Sequence, residues 1–129
     1  MSPAQERDQI LEVFETYVRA VNDADVDLLK SLFWTDDPRF CEVENDQPMP
    51  FGKERFLEIC DWVREHGKRG DNQQRFRNPQ VYMLAPNVAY TVALRDELNT
   101  DRTSRVTLIF LRKNAEWRII HGHFSHVPE

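Results

Sequence analysis

The sequence predicts an α+β domain in which helices come first and an antiparallel sheet follows. Apolar residues in the first half recur at helical spacing, whereas side chains in the second half alternate with period two. Short connections join these later segments, and consecutive strands joined in this way pair antiparallel. We therefore expect three helices packed on one face of a bent sheet, in a single domain spanning residues 1–129.

The first helix has the clearest local signals. Ser2, Pro3 and Gln5 form a capping box with proline at the first helical position. One continuous apolar stripe follows, made of Ile10, Val13, Phe14, Tyr17, Val18 and Val21. The segment "NDAD" then ends the helix.

Two shorter helices and one short strand complete the first half. Asp25 can cap a helix that runs to Phe33, and "RFCEVE" (residues 39–44) alternates like a short strand. The apolar face of the third helix carries Phe56, Ile59, Cys60 and Val63. "HGKRGDN" ends that helix, which places Arg69 and Gly70 in an exposed loop.

Four strands are predicted in the second half, and their alternation assigns their faces. They run roughly from Gln73 to Leu84, Val88 to Leu98, Thr103 to Arg112 and Glu116 to His126. The bulky apolar sets should face the helices; these are Val88, Tyr90, Val92 and Leu94 in the second strand, and Val106, Leu108 and Phe110 in the third. The mixed sets, which include Arg95, should face away.

The face of the last strand depends on the turn that precedes it. A two-residue turn at Asn114 and Ala115 would pair Leu108 with His121 and point His121 and His123 inward. A three-residue loop with a bulge would pair Arg112 with Glu116. It would also place Thr107 opposite His121 and Arg105 opposite His123 on the outer side, because one residue of register reverses every side chain. The residues alone leave both alternatives open.

Composition and charge exclude several partners. The chain is 40% hydrophobic and 30% charged, with a formal net charge of -5, which disfavours nucleic acid and anionic membranes. No apolar run approaches the ~18 residues of a membrane helix, and "MSPAQERDQI" lacks the apolar core of a signal peptide. We therefore expect a cytoplasmic protein that binds neither nucleic acid nor membrane.

Several segments carry a resemblance to a known family. These are "YVRAVNDADVDLLKSLF", the Gly52-led "FGKERFLEICDWV", "SRVTLIFLRK" and "WRIIHGHFSHVP". They resemble the SnoaL-like, ketosteroid isomerase-like proteins of the nuclear transport factor 2-like superfamily. The resemblance implies a cone, in which a strongly curved antiparallel sheet wraps around the long N-terminal helix and encloses a pocket. Because the family includes isomerases, cyclases, epoxide hydrolases and non-catalytic scaffolds, it constrains function only weakly.

The last strand is also similar to that of the association domain of calcium/calmodulin-dependent kinase II. Both have the spacing Trp-x-x-x-His-x-His-x-Ser. That resemblance implies that Phe124 faces the pocket, which favours the bulged register and puts His121 and His123 on the convex side. Since family members commonly dimerise through this side, we expect Arg105, Thr107, His121 and His123 at a homodimer interface. The arginines of that domain's pocket are missing, and Val92, Leu108 and Phe124 stand in their places.

Two residues match the catalytic positions of ketosteroid isomerase. Tyr17 resembles its oxyanion-stabilising tyrosine, and Glu42 falls within one residue of its carboxylate base. A carboxylate in an apolar cleft has a raised pKa and can move a proton, while a tyrosine stabilises the developing oxyanion. The region that would supply a second, protonated aspartate, around Leu108 and Ile109, is apolar here.

The predicted pocket lining is aromatic and apolar, which suits a small apolar ligand. It comprises Phe56, Cys60, Tyr90, Val92, Leu108, Phe110, Ile120 and Phe124. We expect no cofactor and no metal, because His121 and His123 have no third ligand nearby in sequence, and we expect Cys41 and Cys60 to be reduced thiols. The predicted function is small-molecule binding, with isomerase- or hydrolase-type proton transfer by Glu42 and Tyr17. The alternative is a non-catalytic dimerisation or scaffold module with a closed pocket.

Overall fold

The computed structural model describes residues 2–67 and 73–128, so the predicted loop at Arg69 and Gly70 lies outside the described residues. The helices are α1 (Pro3–Asn22), α2 (Val26–Ser31) and α3 (Lys53–His66). The strands are β1 (Cys41–Val43), β2 (Gln74–Ala85), β3 (Val88–Glu97), β4 (Arg102–Lys113) and β5 (Glu116–His126). This is the α+β architecture that the sequence predicts.

The helices begin where their capping residues predict. The Ser2 hydroxyl accepts from the Gln5 backbone N–H at 3.2 Å, and the Gln5 side chain accepts from the Ser2 N–H at 2.9 Å. Asp25 caps α2 through the Leu28 N–H at 3.2 Å. The inward face of α1 buries Ile10, Phe14, Tyr17 and Ala20. Within the described residues, no helix has both the length and the apolarity needed to cross a membrane.

The sheet is curved and unclosed, with the strand order β1-β5-β4-β3-β2. Strands β2 to β5 form the predicted antiparallel meander. Strand β1 pairs in parallel with β5, opposite His121 and its neighbours, with Glu42 beside Gly122. The sequence predicts β1 but not this pairing, because a parallel partner far along the chain has no turn to mark it. The pairing brings Glu42 to the concave face of the sheet.

The face predicted for β3 is wrong. Thr91 pairs with Leu108 and Ala89 with Phe110, so the small side chains of β3 share the concave face with the bulky ones of β4. Ala89, Thr91 and Arg95 are buried. The bulky set, Val88, Tyr90, Val92 and Leu94, lies half-buried on the convex face. Small side chains on β3 take up little of the concave face beside the bulky ones of β4, a packing constraint that hydrophobicity alone does not show.

The β4–β5 hairpin differs from both predicted registers. It is a two-residue turn with positive φ at Asn114 (52°) and Ala115 (64°), and Lys113 pairs with Glu116. The register then shifts at a bulge between Ile119 and His121, which leaves Ile120 as the extra residue. The bulge therefore lies within the strand and not in the loop, and it reverses the faces of the second half of β5.

Candidate functional site

A cavity of about 550 Å³ opens between α1, α3 and the concave face of the sheet. Its buried wall is apolar, and its main contributors are Val21, Leu29, Phe33, Phe56, Val63 and Phe124. Its mouth is polar, with Glu44, Asn45, Asp46, Glu97, Arg102 and His126. The cone is therefore open and amphipathic, whereas the sequence predicts an apolar lining.

Glu42 lies in the cavity wall with no partner for its carboxyl group. Its backbone N–H and C=O bond to Phe51 at 2.8 and 2.9 Å, which fixes the strand in place. Its side chain is 8% exposed and accepts no hydrogen bond from residues 2–67 or 73–128. Burial, followed by the nearby charge of Glu44, raises the pKa of Glu42 to about 8, against the opposing effect of Arg95. Glu42 is therefore largely protonated at neutral pH.

Gly122 provides the space that the Glu42 carboxyl group occupies. A Cβ atom at position 122 would lie 3.2 Å from Glu42 Oε1, 3.2 Å from the Phe124 ring and 3.3 Å from Leu108. All three distances are tighter than ordinary contacts. The glycine between the two histidines thus admits a carboxyl group to the concave face.

Tyr17 reaches the same cavity from α1. Its ring packs edge-on against Phe33 and Phe76, with centroids 6.1 and 5.8 Å away. Its hydroxyl has no hydrogen-bond partner in the part of the chain that the structure describes. Burial, followed by the charge of Glu42, raises the pKa of Tyr17 well above its ordinary value. Tyr17 and protonated Glu42 therefore present two unpaired O–H donors to one cavity.

Arg95 also lines the cavity, although the sequence predicts that it faces away. Its side chain is 4% exposed, and its guanidinium lies 4.4 Å from the centroid of the Phe124 ring. It donates to both carboxylate oxygens of Glu44, at 2.8 and 3.3 Å, and to Ser104 Oγ at 3.3 Å. The pocket thus contains an arginine at a position that the resemblance does not indicate. Only the β3–β4 register, with Arg95 opposite Ser104, could have revealed it.

Polar contacts connect this ion pair to the ends of the last two strands. Asn45 donates to Ser104 Oγ at 2.8 Å and accepts from the His126 N–H at 2.8 Å. His126 Nε2 lies 3.8 Å from Glu97. These contacts join Arg95, through Ser104 and Asn45, to the end of β5.

Three of the predicted ligand-binding residues, Phe56, Cys60 and Phe124, line the cavity. Phe56 packs against Phe33 with ring centroids 4.9 Å apart, and so forms a rigid aromatic wall. Burial raises the pKa of Cys60 to about 11, so this cysteine remains a thiol at neutral pH. Its part in the site is to contribute surface and not to act as a nucleophile.

The other five predicted lining residues are corrected. Leu108 and Phe110 have 0% exposure and therefore no surface on an open cavity. Ile120 is buried at the bulge of β5 and is absent from the cavity wall. Tyr90 and Val92 lie on the convex face, because β3 presents its small residues inward.

The four residues predicted at a dimer interface share the convex face. Thr107 pairs with His123 and Arg105 pairs with Ser125, each two residues along β5 from the predicted partner. His121 Nδ1 lies 2.8 Å from the Cys41 carbonyl oxygen, so this nitrogen carries the proton in that contact. Among residues 2–67 and 73–128, no three His, Cys, Asp or Glu side chains are grouped to hold a metal ion.

Comparisons with known proteins agree with this geometry at the level of the fold. A protein of unknown function from Pectobacterium atrosepticum is 20% identical, with 99% of each chain covered and a TM-score of 0.79. An NTF2-like protein of unknown function from Pseudomonas putida is also 20% identical, over 97% of this chain and 88% of that one, with a TM-score of 0.78. A proposed dehydratase of the NTF2-like family from Streptomyces avermitilis is 16% identical, over 99% and 100% of the chains, with a TM-score of 0.81. No curated protein matches the chain.

The family model described as a SnoaL-like domain matches residues 10–129. The match spans the elements that line the cavity, from α1 to β5. It includes Glu42 in β1 and Glu44 directly after it. The chain therefore belongs to the SnoaL-like domain family.

Proposed function

We propose that the cavity binds a small, neutral, mostly apolar molecule with an oxygen acceptor, and that Glu42 transfers a proton to or from it. The observation that carries this proposal is that the Glu42 carboxyl group and the Tyr17 hydroxyl line one cavity and have no hydrogen-bond partner among the described residues. Buried polar groups are normally hydrogen-bonded, and leaving them unpaired costs stability. Polar atoms of a ligand in the cavity would give these groups the partners that they lack.

The chemistry follows from the different acidities of the two groups. Glu42, with a pKa of about 8, can in its ionised form take the proton from the carbon next to the ligand's carbonyl group, and in its neutral form return a proton to that carbon. The raised pKa of Tyr17 keeps its proton in place, so Tyr17 donates a hydrogen bond to the developing negative charge. One acid–base group and one donor are sufficient for isomerase- or hydrolase-type reactions.

The charges of the pocket favour a neutral ligand over an anionic one. Arg95 is the buried cation of the described lining, and Glu44 already engages it with two hydrogen bonds. Asp46 and Glu97 add negative charge at the mouth. A carboxylate ligand would therefore meet repulsion and would have to compete with Glu44 for the guanidinium.

The alternative function is a dimerisation module with a closed pocket, but the cavity of this protein is open. The convex face nevertheless supports a homodimer within the proposed enzyme. Tyr82 and Tyr90 stack there with ring centroids 5.0 Å apart, and Tyr82 and Leu84 are 42% and 64% exposed. Apolar surface of this kind favours association with a second copy.

The test measures proton transfer directly and needs no knowledge of the natural substrate. Neutral cyclic ketones are incubated with the protein in D₂O, and the loss of α-proton signals is followed by NMR. We expect wild-type protein to accelerate exchange, Glu42→Gln to abolish the acceleration, and Tyr17→Phe to reduce it by about 10²–10³-fold. His123→Ala, on the opposite face, is the matched control and should exchange like wild type.

A second arm tests the ligand class. Short-chain carboxylates and amines replace the ketones in a binding titration followed by NMR. Tight binding of carboxylates with no binding of neutral ketones would contradict the proposal. Native mass spectrometry of protein from its own host reports a co-purified ligand and the oligomer mass together.

A further inference from the structure

Two carboxylates enter the cavity from the same side of one extended segment. Glu42 and Glu44 are two residues apart, a spacing of about 6.5–7 Å along a strand. Glu44 accepts two hydrogen bonds from Arg95 and one from the Asn45 N–H at 3.2 Å. Glu42 accepts none from the described residues. The same pocket thus holds one carboxylate that is fully paired and one that is not.

The charge of Arg95 is already engaged by other carboxylates. Besides Glu44, the Arg95 guanidinium lies 3.7 Å from Glu97, and Phe124 covers its face. One buried positive charge therefore faces two carboxylates, which makes the cluster net negative before Glu42 is counted. Ionising Glu42 would add a third negative charge with no cation left to balance it.

We propose that Glu44 is a positioning residue that keeps Glu42 in its neutral, proton-donating form by binding the guanidinium of Arg95. Glu44 binds the guanidinium and offsets its charge, so Arg95 stabilises an ionised Glu42 less than an unpaired guanidinium would. The inference rests on the proposed role of Glu42 as the proton-transfer group. The experiment that tests the role of Glu44 measures the protonation of Glu42 and not turnover. A negative result for Glu44 therefore does not disprove the proposed proton transfer, and a lack of turnover does not disprove the role of Glu44.

The remaining groups that face Glu42 do not change this balance. Tyr17 from α1 and Cys60 from α3 are both neutral at pH 7, because burial raises the pKa of each. Gly122 and Phe124 from β5 and Leu108 from β4 carry no charge. The other charged or titratable lining residues stand at the mouth, where solvent screens them: Asp46, Arg102 and His126.

The experiment is a carbon-13 NMR titration of the glutamate carboxyl groups from about pH 5 to about pH 10, a range that brackets the expected pKa of Glu42. The Glu42 signal is assigned by its loss in Glu42→Gln. In wild-type protein it should titrate at about 8. Glu44→Gln frees the charge of Arg95 and should lower the pKa of Glu42 by about one to three units. Arg95→Met should raise it.

The double variant Glu44→Gln/Arg95→Met removes both charges, so the pKa of Glu42 should return towards its wild-type value. Asp46→Asn, a mouth carboxylate that does not bond Arg95, is the control and should shift the titration little. An unchanged or raised pKa in Glu44→Gln would overturn the proposal. If Glu44→Gln does not fold, the comparison of wild type, Arg95→Met and the double variant decides, and equal titration of these three would overturn it as well.

Discussion

Replacing Glu42 with glutamine should change how stability depends on pH. The folded protein binds the Glu42 proton up to a pH of about 8, whereas the unfolded chain releases it at about 4.5. Between these values the folded state holds one more proton than the unfolded state, so rising pH destabilises it by about 1.4 kcal/mol per pH unit. This stabilising contribution is complete below the unfolded pKa and is lost as pH rises through the folded one.

The expected difference follows from that slope. Between about pH 5.5 and about pH 7.5, wild-type protein should lose about 3 kcal/mol relative to Glu42→Gln, which has no proton to release. Urea unfolding followed by tryptophan fluorescence measures both proteins, and subtraction removes the other titrating groups. The matched control is Glu12→Gln, on the exposed side of α1. Its free energy of unfolding should change with pH in parallel with that of wild type. Parallel curves for Glu42→Gln would refute the assignment of a raised pKa to Glu42.

Three further changes test the packing, the hairpin and the convex face. Phe124 is 2% exposed beneath Arg95, so Phe124→Ala should lower the free energy of unfolding by about 3–5 kcal/mol, and a near-neutral change in a urea titration would contradict its burial. Ala115 has a φ of 64°, so Ala115→Gly should raise the unfolding free energy by about 1 kcal/mol, whereas a loss would rule out the turn. If the convex face is a dimer interface, His121→Ala with His123→Ala should weaken self-association in sedimentation and leave ketone binding unchanged. An unaltered association constant would place the interface elsewhere.

The sequence predicts the elements well because their signals are local. The capping box at Ser2, the apolar stripe of α1 and the alternation in β2 to β5 depend on residues a few positions apart. The resemblance supplies the cone, and the SnoaL-like match and the NTF2-like structures agree with it. Tyr17 and Glu42 are both predicted in the pocket, and both lie in its wall.

The sequence-based predictions fail where strand register determines which face of the sheet a side chain occupies. Alternation shows which residues of β3 share a face, but not which face meets the helices. Assigning the bulky side chains to the inner face places Tyr90 and Val92 wrongly in the pocket and Arg95 wrongly on the outer face. The bulge at Ile120 has no sequence signal of its own, and it turns His121 outward although the turn is the one expected to point it inward. Long-range pairing therefore determines the charges of the pocket, and local patterns do not.

Infrared spectroscopy detects the protonation of Glu42 inside the cavity. The difference spectrum between wild-type protein and Glu42→Gln isolates the C=O stretch of this carboxyl group. We expect the band of a protonated carboxylic acid at neutral pH, replaced by carboxylate bands as the pH rises above about 8. Adding a ketone ligand should shift the acid band, because the Glu42 O–H then donates a hydrogen bond. Carboxylate bands alone at neutral pH would mean that Glu42 is ionised in the folded protein and that its pKa is not raised.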